Sequence, residues 1–478
     1  MLEGREMDYK RLFVELNRDQ VARQTVCPIK LLLLSDWEHW LAQQENLIKH
    51  QIDSIGFKPE SGSYAVLLDK NGDRELVVLL LASSGQFLSV GKLSAQLPPG
   101  YYALEEDGWQ PAQLTNFTLA WGLGGYKFDY FLASRSESAT CAQLLVSNDV
   151  DKSKLWALLD SSFWVRDLIN MPAEQMYPAQ LADEARRLAE EFGARLRVVT
   201  GEELVRDFPA VAMVGRGSVR SPCLIDLKSG GDGCYKITLV GKGVCFDAGG
   251  LDLKSSTGML QMKKDMAGAA HALGVAKLVM SLQLPIQLRV IIPAVENLPS
   301  GSAVKVRDII RTRSGITVEV GNTDAEGRLI LADALSLAVE DKPDLLIDFA
   351  TLTGAARVAL GMDIAALFSN CDHLAKNLLD QMWQAEEPVW RLPLYKPYLE
   401  YLRAPLADLN NTTAESGISG GAITAALFLQ QFVGDTPWIH LDFNGDNIRS
   451  SAGRPKGGEA ICLRGMLAFL DDLVSKRN

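Results

Sequence analysis

Short apolar segments of strand character alternate with helical segments in the second part of the chain, and this alternation restricts the possible folds. The predicted strands cover residues 236–240, 288–294, 344–350 and 438–443, and the predicted helices cover residues 267–282, 331–339 and 423–432. Strands separated by helices form a largely parallel sheet that is covered on both faces. In such sheets ligands bind beyond the carboxyl ends of the strands, so we expect functional residues in the loops that follow them.

Three segments divide the 478-residue chain, which is long enough for two or three domains. Residues 1–150 alternate strand-like runs with polar connections, include a predicted helix over 36–52, and form a first domain. Residues 151–171 predict a linker helix that ends before Pro172, because the residue before a proline avoids helical geometry. Residues 172–478 form the larger domain, which contains the alternating strands and helices.

Composition excludes several classes of protein. The net charge of −11 disfavours nucleic acid and anionic membranes as partners. The seven cysteines are scattered and never in CxxC spacing, which is typical of reduced thiols and not of a disulfide framework or a zinc finger. No apolar run is long enough to span a membrane, and the first residues lack a secretory signal. We therefore expect a soluble, cytoplasmic protein.

Two segments framed by glycine concentrate the charged residues of the larger domain. Residues 240–266 read VGKGVCFDAGGLDLKSSTGMLQMKKDM, and residues 321–329 read GNTDAEGRL. A glycine-rich loop after a strand can bind phosphate, but neither the GxxxxGK[ST] spacing nor a GxGxxG before a helix is present here. The carboxylates of these segments are therefore more informative than their glycines.

Four acidic residues in these segments indicate a metal site. Asp324 and Glu326 are two apart, so in an extended segment their side chains point to the same face. Asp247 follows a predicted strand, and Asp265 precedes an apolar helix. Clustered carboxylates repel one another unless a cation neutralises them, and oxygen ligands without a nearby Cys or His cluster suit Mn²⁺, Mg²⁺ or Zn²⁺. Any one of these acids alone could instead cap a helix or form a surface ion pair.

The segments GKGVCFDAGGLDLK, MKKDM and NTDAEGRL resemble the signatures of the leucine aminopeptidase family, the cytosolic M17 metallopeptidases. The resemblance extends from about residue 155 to the C-terminus and is weak before that point. This chain departs from the commoner DTGG in having Ala248, and it carries Lys264 before Asp265. The resemblance implies a smaller N-terminal α/β domain, a larger α/β/α catalytic domain with a mainly parallel sheet, and a homohexamer.

The resemblance also implies a role for individual residues. It implies that the ligands of two metal ions are Lys242, Asp247, Asp265, Asp324 and Glu326. Lys254 is implied as the catalytic lysine, and Arg328 as the residue that holds a bicarbonate acting as general base. The walls of the pocket for the first side chain of the substrate are implied to be Met262, Thr351, Leu352 and Gly354.

We therefore expect a metal-dependent aminopeptidase that uses a water activated by two metals to release an N-terminal leucine or other apolar residue from peptides. A two-metal phosphoesterase is an alternative, although such a site does not require the paired lysines or NTDAEGR. A DNA-binding or regulatory protein on an aminopeptidase scaffold is another, which the net charge disfavours. His440 and Asp442 are interpreted as structural residues, and His39 and His50 as surface or structural histidines.

Overall fold

The computed structural model describes residues 8–14, 26–132, 141–231, 235–413 and 419–476. The chain divides into two compact units. The first comprises residues 1–163 together with Ile448–Lys456, and the second comprises the remainder. The predicted domain boundaries at residues 150 and 171 lie on either side of this division.

The first unit contains a mixed sheet with helices. Its strands are β1 Phe13–Val14, β2 Val26–Leu33, β3 Tyr64–Leu68, β4 Arg74–Leu81, β5 Gly100–Leu104 and β6 Ala142–Leu145. Within the described residues they are ordered β1-β6-β5-β2-β4-β3, with only β3 antiparallel to its neighbour. The helices are α1 Trp37–Ala42, α2 Asn46–Ser54, α3 Gly91–Gln96 and α4 Pro111–Gly124, with short 3-10 helices at Asp8–Leu12, Leu34–Asp36 and Leu88–Val90. α5, Lys152–Asn170, runs from the first unit into the second.

The prediction of a single helix over residues 36–52 is wrong, because the chain forms α1 and α2 with a turn between them. Trp37 and Trp40 on α1 and Ile52 on α2 are all buried in one apolar cluster. The turn allows both short helices to bury these side chains. An apolar pattern in the sequence does not distinguish this arrangement from one continuous helix.

The second unit contains the larger sheet. Its strands are β7 Arg195–Val199, β8 Cys223–Ser229, β9 Tyr235–Gly241, β10 Gly243–Asp247, β11 Ile286–Asn297, β12 Ile309–Arg311, β13 Thr317–Glu319, β14 Leu345–Ala350, β15 Ala365–Ser369, β16 Val389–Arg391, β17 Leu409–Asn410, β18 Trp438–Asp442, β19 Asp446–Asn447 and β20 Gly457–Gly458. Its helices are α6 Pro178–Phe192, α7 Gly201–Asp207, α8 Pro209–Gly215, α9 Ser256–Met259, α10 Ala267–Ser281, α11 Glu326–Glu340, α12 Gly354–Leu360, α13 Asp372–Gln384, α14 Gly421–Gln430 and α15 Leu463–Ser475, with 3-10 helices at Met262–Met266 and Lys396–Leu402.

The order of the large sheet is β16-β15-β18-β14-β9-β11-β8-β7, and β10 pairs with the end of β11 beyond β9. Among the described strands, five of its eight pairings are parallel. Every residue of β14, β15 and β18 is buried, so the sheet is covered on both faces. The predicted α/β class with a mainly parallel sheet is confirmed. β19 and β20 pair with each other, and the residues between them are those that group with the first unit.

Among the described residues, no helix combines the length and the apolar composition that crossing a bilayer requires.

Candidate active site

A cavity of about 400 Å³ lies at the carboxyl ends of three parallel strands of the large sheet. Asp247 ends β10, Thr351 follows β14, and Phe443 follows β18. The cavity is lined by Lys242, Asp247, Lys254, Ser255, Gly258, Met262, Lys264, Asp265, Asp324, Glu326, Thr351, Leu352, Thr353, Gly354, Arg357 and Phe443. All five predicted metal ligands, Lys254 and all four predicted pocket residues belong to this set. Arg328 does not.

Lys242 lies at the break between β9 and β10. Its backbone N–H donates to Phe349 O at 2.9 Å, and its carbonyl accepts from Ala269 N at 2.8 Å. These two bonds tie it to β14 and to the first turn of α10. A Cβ on Gly327 would lie 2.6 Å from Lys242 Cε, so this glycine leaves the room through which the lysine side chain passes.

The ammonium of Lys242 contacts two of the predicted ligands. Its Nζ lies 2.8 Å from Asp265 Oδ2 and 3.1 Å from Glu326 Oε1. It also donates to Thr351 O at 3.1 Å. Thr351 in turn donates through Oγ1 to Asp265 Oδ1 at 2.7 Å, so Asp265 is held on both of its oxygens.

A tight turn after β10 brings Lys254 back to Asp247. Gly249 and Gly250 have φ of 90° and 65°, a region of backbone conformation that favours glycine. The carboxylate of Asp247 accepts from Gly249 N at 2.9 Å on Oδ1, and Lys254 Nζ lies 2.8 Å from its Oδ2. Lys254 Nζ also contacts Asp324 Oδ1, so this lysine joins the two glycine-framed segments.

The sequence suggested that the second segment is extended, but in the structure it forms a turn and the start of a helix. Glu326 is the first residue of α11, and Asp324 lies in the turn before it. The turn is fixed by Asn411, whose Oδ1 accepts from Gly321 N at 2.8 Å and whose Nδ2 donates to Asn322 O at 2.7 Å. The helix starts earlier than predicted because this turn, and not an apolar pattern, sets its first residue.

Burial and mutual repulsion disturb the ionisation of these carboxylates. Burial, followed by the charge of Asp247, raises the pKa of Glu326 to about 8 and that of Asp324 to about 6. The pKa of Asp265 is also raised, first by burial. Burial alone would lower the pKa of Lys242, but Asp265, Glu326 and Asp247 together raise it above its usual value. Burial and the negative charge of neighbouring acids thus both disfavour the ionised form of these carboxyl groups.

The donor set fits a divalent cation. Asp247, Asp265 and Glu326 offer carboxylate oxygens that lie within 4.8 Å of one another, and all three residues are buried. Glu326 Oε2 is buried and has no hydrogen-bond partner among the described residues. A buried carboxylate oxygen in that position is costly without a cation, and oxygen donors of this kind are those that hard cations prefer.

Arg328 lies on α11 beside the cavity. Its Nη1 donates to Asn411 O at 2.6 Å, and its Nε has no hydrogen-bond partner among the described residues. Burial lowers the pKa of its guanidinium to about 10. The structure thus places a buried, incompletely bonded cation near the carboxylates.

The comparisons with known proteins identify the chain. Residues 163–467 match the model of the cytosol aminopeptidase family catalytic domain, and residues 27–147 match the M17 aminopeptidase N-terminal domain. The chain belongs to the cytosol aminopeptidase family. It is therefore an aminopeptidase, and the predicted family resemblance is confirmed.

Relatives of this aminopeptidase match it over most of its length. A probable cytosol aminopeptidase of Syntrophotalea carbinolica is 42% identical over 365 residues, 73% of each chain. The crystal structure of cytosol aminopeptidase from Coxiella burnetii is 42% identical, with a TM-score of 0.90 over 97% of this chain and 99% of that one. The bottromycin maturation enzyme BotP in complex with Mn is 30% identical, with a TM-score of 0.84 over 94% of this chain and 100% of that one.

Three polar residues support the site of this aminopeptidase, although the sequence predicted a site role for none of them; Asp442 was interpreted only as structural. Asn297, at the end of β11, donates through Nδ2 to Asp247 Oδ1 at 2.9 Å and to Thr323 O at 3.0 Å. Asn411 fixes the turn before α11, as described above. Asp442 accepts from Leu352 N at 2.8 Å and from Thr353 Oγ1 at 2.6 Å, and so fixes the loop after β14. These residues are far apart along the chain and carry no motif, so only the fold identifies them.

The other histidines and acids singled out in the sequence lie outside the cavity. His440 is fully buried, and its Nδ1 lies 2.5 Å from Asp348 Oδ1. Asp348 also accepts from Trp438 Nε1 at 2.7 Å. His39 and His50 are exposed. These placements agree with the structural or surface roles expected of them.

Proposed function

We propose that this aminopeptidase is metal-dependent and binds two divalent cations through Lys242, Asp247, Asp265, Asp324 and Glu326. The observation that carries the proposal is the convergence of four carboxylates in one cavity, with Glu326 Oε2 buried and without a hydrogen bond among the described residues. Zn²⁺ and Mn²⁺ are the first candidates and Mg²⁺ the next, because the donors are oxygens and one amine. The Mn complex of BotP supports testing manganese first.

Cations in this cavity would supply Lewis acidity toward the scissile carbonyl and would lower the pKa of water that attacks it. Lys254 contributes a positive charge of its own. Although burial opposes it, Asp247 and Asp324 raise the pKa of Lys254 above its usual value, so the lysine stays protonated. A protonated lysine on the cavity wall is suited to donate to the oxygen that becomes negative during hydrolysis.

Lys242 can act as a ligand only as a neutral amine. The surrounding carboxylates keep it protonated in this structure, so cation binding must displace its proton. Cation affinity should therefore increase with pH.

Arg328 is proposed to hold a bicarbonate that acts as general base. Its Nε lacks a hydrogen bond among the described residues, and its planar guanidinium suits a carbonate-like anion. The proposal rests on the family resemblance and on this unsatisfied donor. Arg328→Ala should reduce activity and remove any stimulation by added bicarbonate; stimulation that persists in the variant would contradict the assignment.

Substrate selection is proposed to favour an N-terminal leucine or another apolar residue. Met262 and Leu352 line the cavity with apolar surface, while Thr351 and Gly354 leave space. Buried carboxylates on the cavity wall suit the free amino end of a peptide better than its middle. By the family resemblance, six copies of the chain are proposed to assemble.

Hydrolysis of leucyl-p-nitroanilide tests the proposed function. The protein is stripped of metal with a chelator, dialysed, and supplied with Mn²⁺, Zn²⁺ or Mg²⁺ in turn. We expect no turnover in the stripped protein and recovery with at least one cation. Absence of turnover with all three would contradict the proposal.

A further inference from the structure

The cavity contains a cation that the proposed chemistry does not use. Arg357, on α12, lines the cavity together with the predicted ligands. A Cβ built on Gly354 would lie 3.5 Å from Arg357 Nη2, so the guanidinium lies beside Gly354, the first residue of α12. Among the described residues, no carboxylate lies within 4.0 Å of this guanidinium, and its nitrogens donate no hydrogen bond.

The acids that line the cavity already have partners. Lys242 contacts Asp265 and Glu326, and Lys254 contacts Asp247 and Asp324. These two lysines thus contact all four acids that line the cavity.

Asp442, which holds the adjoining loop, is also occupied. Its Oδ1 accepts from Leu352 N at 2.8 Å and Thr353 N at 3.2 Å, and its Oδ2 accepts from Thr353 Oγ1 at 2.6 Å. Both carboxylate oxygens of Asp442 therefore bind the loop.

A second cation faces the same space. Lys264 is buried, lines the cavity, and donates through Nζ to Asn444 O at 2.6 Å. Lys264 and Arg357 thus place two basic side chains on the wall of one cavity, which favours an anion as the group that binds beside them.

We propose that Arg357, together with Lys264 on the wall of the same cavity, binds a carboxylate group of the peptide substrate. The proposal rests on the proposed function, because it names the substrate chemistry that the same cavity accepts. A guanidinium donates two parallel hydrogen bonds to a carboxylate, which a single ammonium cannot do. A peptide offers such a group at its C-terminus, on an acidic first side chain, or on an acidic second side chain.

Three pairs of peptides distinguish these sources, each pair differing in one charge. Leu-Gly is compared with Leu-Gly amide for the C-terminus. Glu-Gly amide is compared with Gln-Gly amide for the first side chain, and Leu-Glu amide with Leu-Gln amide for the second. For each pair the ratio of kcat/KM between the charged and the neutral member is measured with the metal-loaded wild type and with Arg357→Gln.

We expect the wild type to favour the charged member of at least one pair by about 10- to 100-fold, the value of a hydrogen bond to a charged group. Arg357→Gln should bring that ratio close to one while leaving the neutral member within about threefold of the wild-type value. Arg357→Lys, which keeps the charge and loses the fork, should retain part of the preference. Arg186→Gln, which removes an arginine on α6 that does not line this cavity, should change no ratio.

Two results would overturn the assignment. If Arg357→Gln leaves every charged-to-neutral ratio unchanged, Arg357 does not bind the carboxylate, while the aminopeptidase function stands. If the metal-loaded wild type hydrolyses none of the six peptides, the proposed function fails and this assignment falls with it. Thermal midpoints of all variants separate loss of binding from loss of folding.

Discussion

At the scale of single residues, the carboxylate of Glu326 shows most clearly what the cavity is built to hold. Its Oε1 lies 3.1 Å from Lys242 Nζ, and its Oε2 is buried without a hydrogen bond among the described residues. Burial and the charge of Asp247 raise its pKa to about 8. An ionisable acid buried at this position is costly to the fold, which supports a role in binding a cation.

Glu326→Gln should abolish turnover without unfolding the protein. We expect kcat to fall by more than about 100-fold, since changing even the partner of a metal ligand costs about 10- to 100-fold. The thermal midpoint of the metal-free variant should stay within about 4 °C of wild type, because glutamine has the same shape and removes a buried charge. Glu340→Gln, at the exposed end of the same helix, is the control and should retain turnover. Retained turnover in Glu326→Gln would contradict its assignment as a ligand.

His271 is a second residue with a measurable consequence. It is fully buried on α10, its Nδ1 lies 2.6 Å from Ala267 O, and burial lowers its pKa to about 4. The unfolded chain takes up a proton at about pH 6.5 that the folded chain does not, so stability is lost as the pH falls from about 6.5 toward 4.

His271→Leu should therefore flatten the pH dependence of unfolding. Between about pH 7 and pH 5, the wild type should lose about 2 kcal/mol of unfolding free energy through this histidine, and the variant should not. Urea titrations at both pH values provide the measurement. His373→Leu, which removes an exposed histidine, should leave the wild-type difference intact. If the unfolding free energy of wild type and that of His271→Leu change equally between the two pH values, this histidine does not contribute to the pH dependence of stability.

At the scale of elements, α10 and β14 approach closely enough to place Lys242 between them. A Cβ on Gly268 would lie 2.1 Å from Phe349 O and 2.8 Å from Lys242 N. Lys242 itself uses its backbone groups to join β14 and α10. The first turn of α10 must therefore contain glycine for Lys242 to lie where it does.

Gly268→Ala should disrupt both packing and function. Overpacking against a backbone carbonyl should destabilise the protein by more than about 2 kcal/mol, because neither α10 nor β14 can move without breaking the bonds of Lys242. The thermal midpoint and the yield of soluble protein measure this loss. Gly301→Ala is the matched control, because a Cβ there meets no atom within 4 Å. A midpoint for Gly268→Ala equal to that of the control would disprove the close approach.

The sequence predicts the elements whose apolar patterns are strong. Predicted strands over 344–350 and 438–443 correspond to β14 and β18, because a strand buried on both faces is apolar throughout. The start of α11 at Glu326 was missed, since a turn held by Asn411 determines it. The division between α1 and α2 was missed because burial of three side chains in one cluster gives the same pattern as a single helix.

The site also combines residues that the sequence predicts with residues that only the fold identifies. The predicted metal ligands and Lys254 occur in two short motifs, so the sequence alone predicts that they belong to one site. Asn297, Asn411 and Asp442 bind residues of the site from three separate strands or loops, and nothing near them in the sequence reveals their partners. Arg357 was missed for another reason, since a lone arginine on a short helix has no distinguishing spacing.

At the scale of the whole molecule, the proposed assembly predicts a mass. Six copies of the 52.3 kDa chain give about 314 kDa. Light scattering of the purified protein should therefore give a single species near that value. A species near the mass of one chain at micromolar concentration would contradict the homohexamer that the family resemblance implies.

The return of Ile448–Lys456 to the first unit bears on how the protein is made. A Cβ on Gly91 would lie 2.7 Å from Gly453 N, so α3 is shaped to receive a stretch of chain translated several hundred residues later. During synthesis the first unit therefore cannot be completed until residues 448–456 have been translated, when nearly the entire polypeptide has been made. A ribosome that stops before residue 448 would therefore release an N-terminal unit that lacks this stretch.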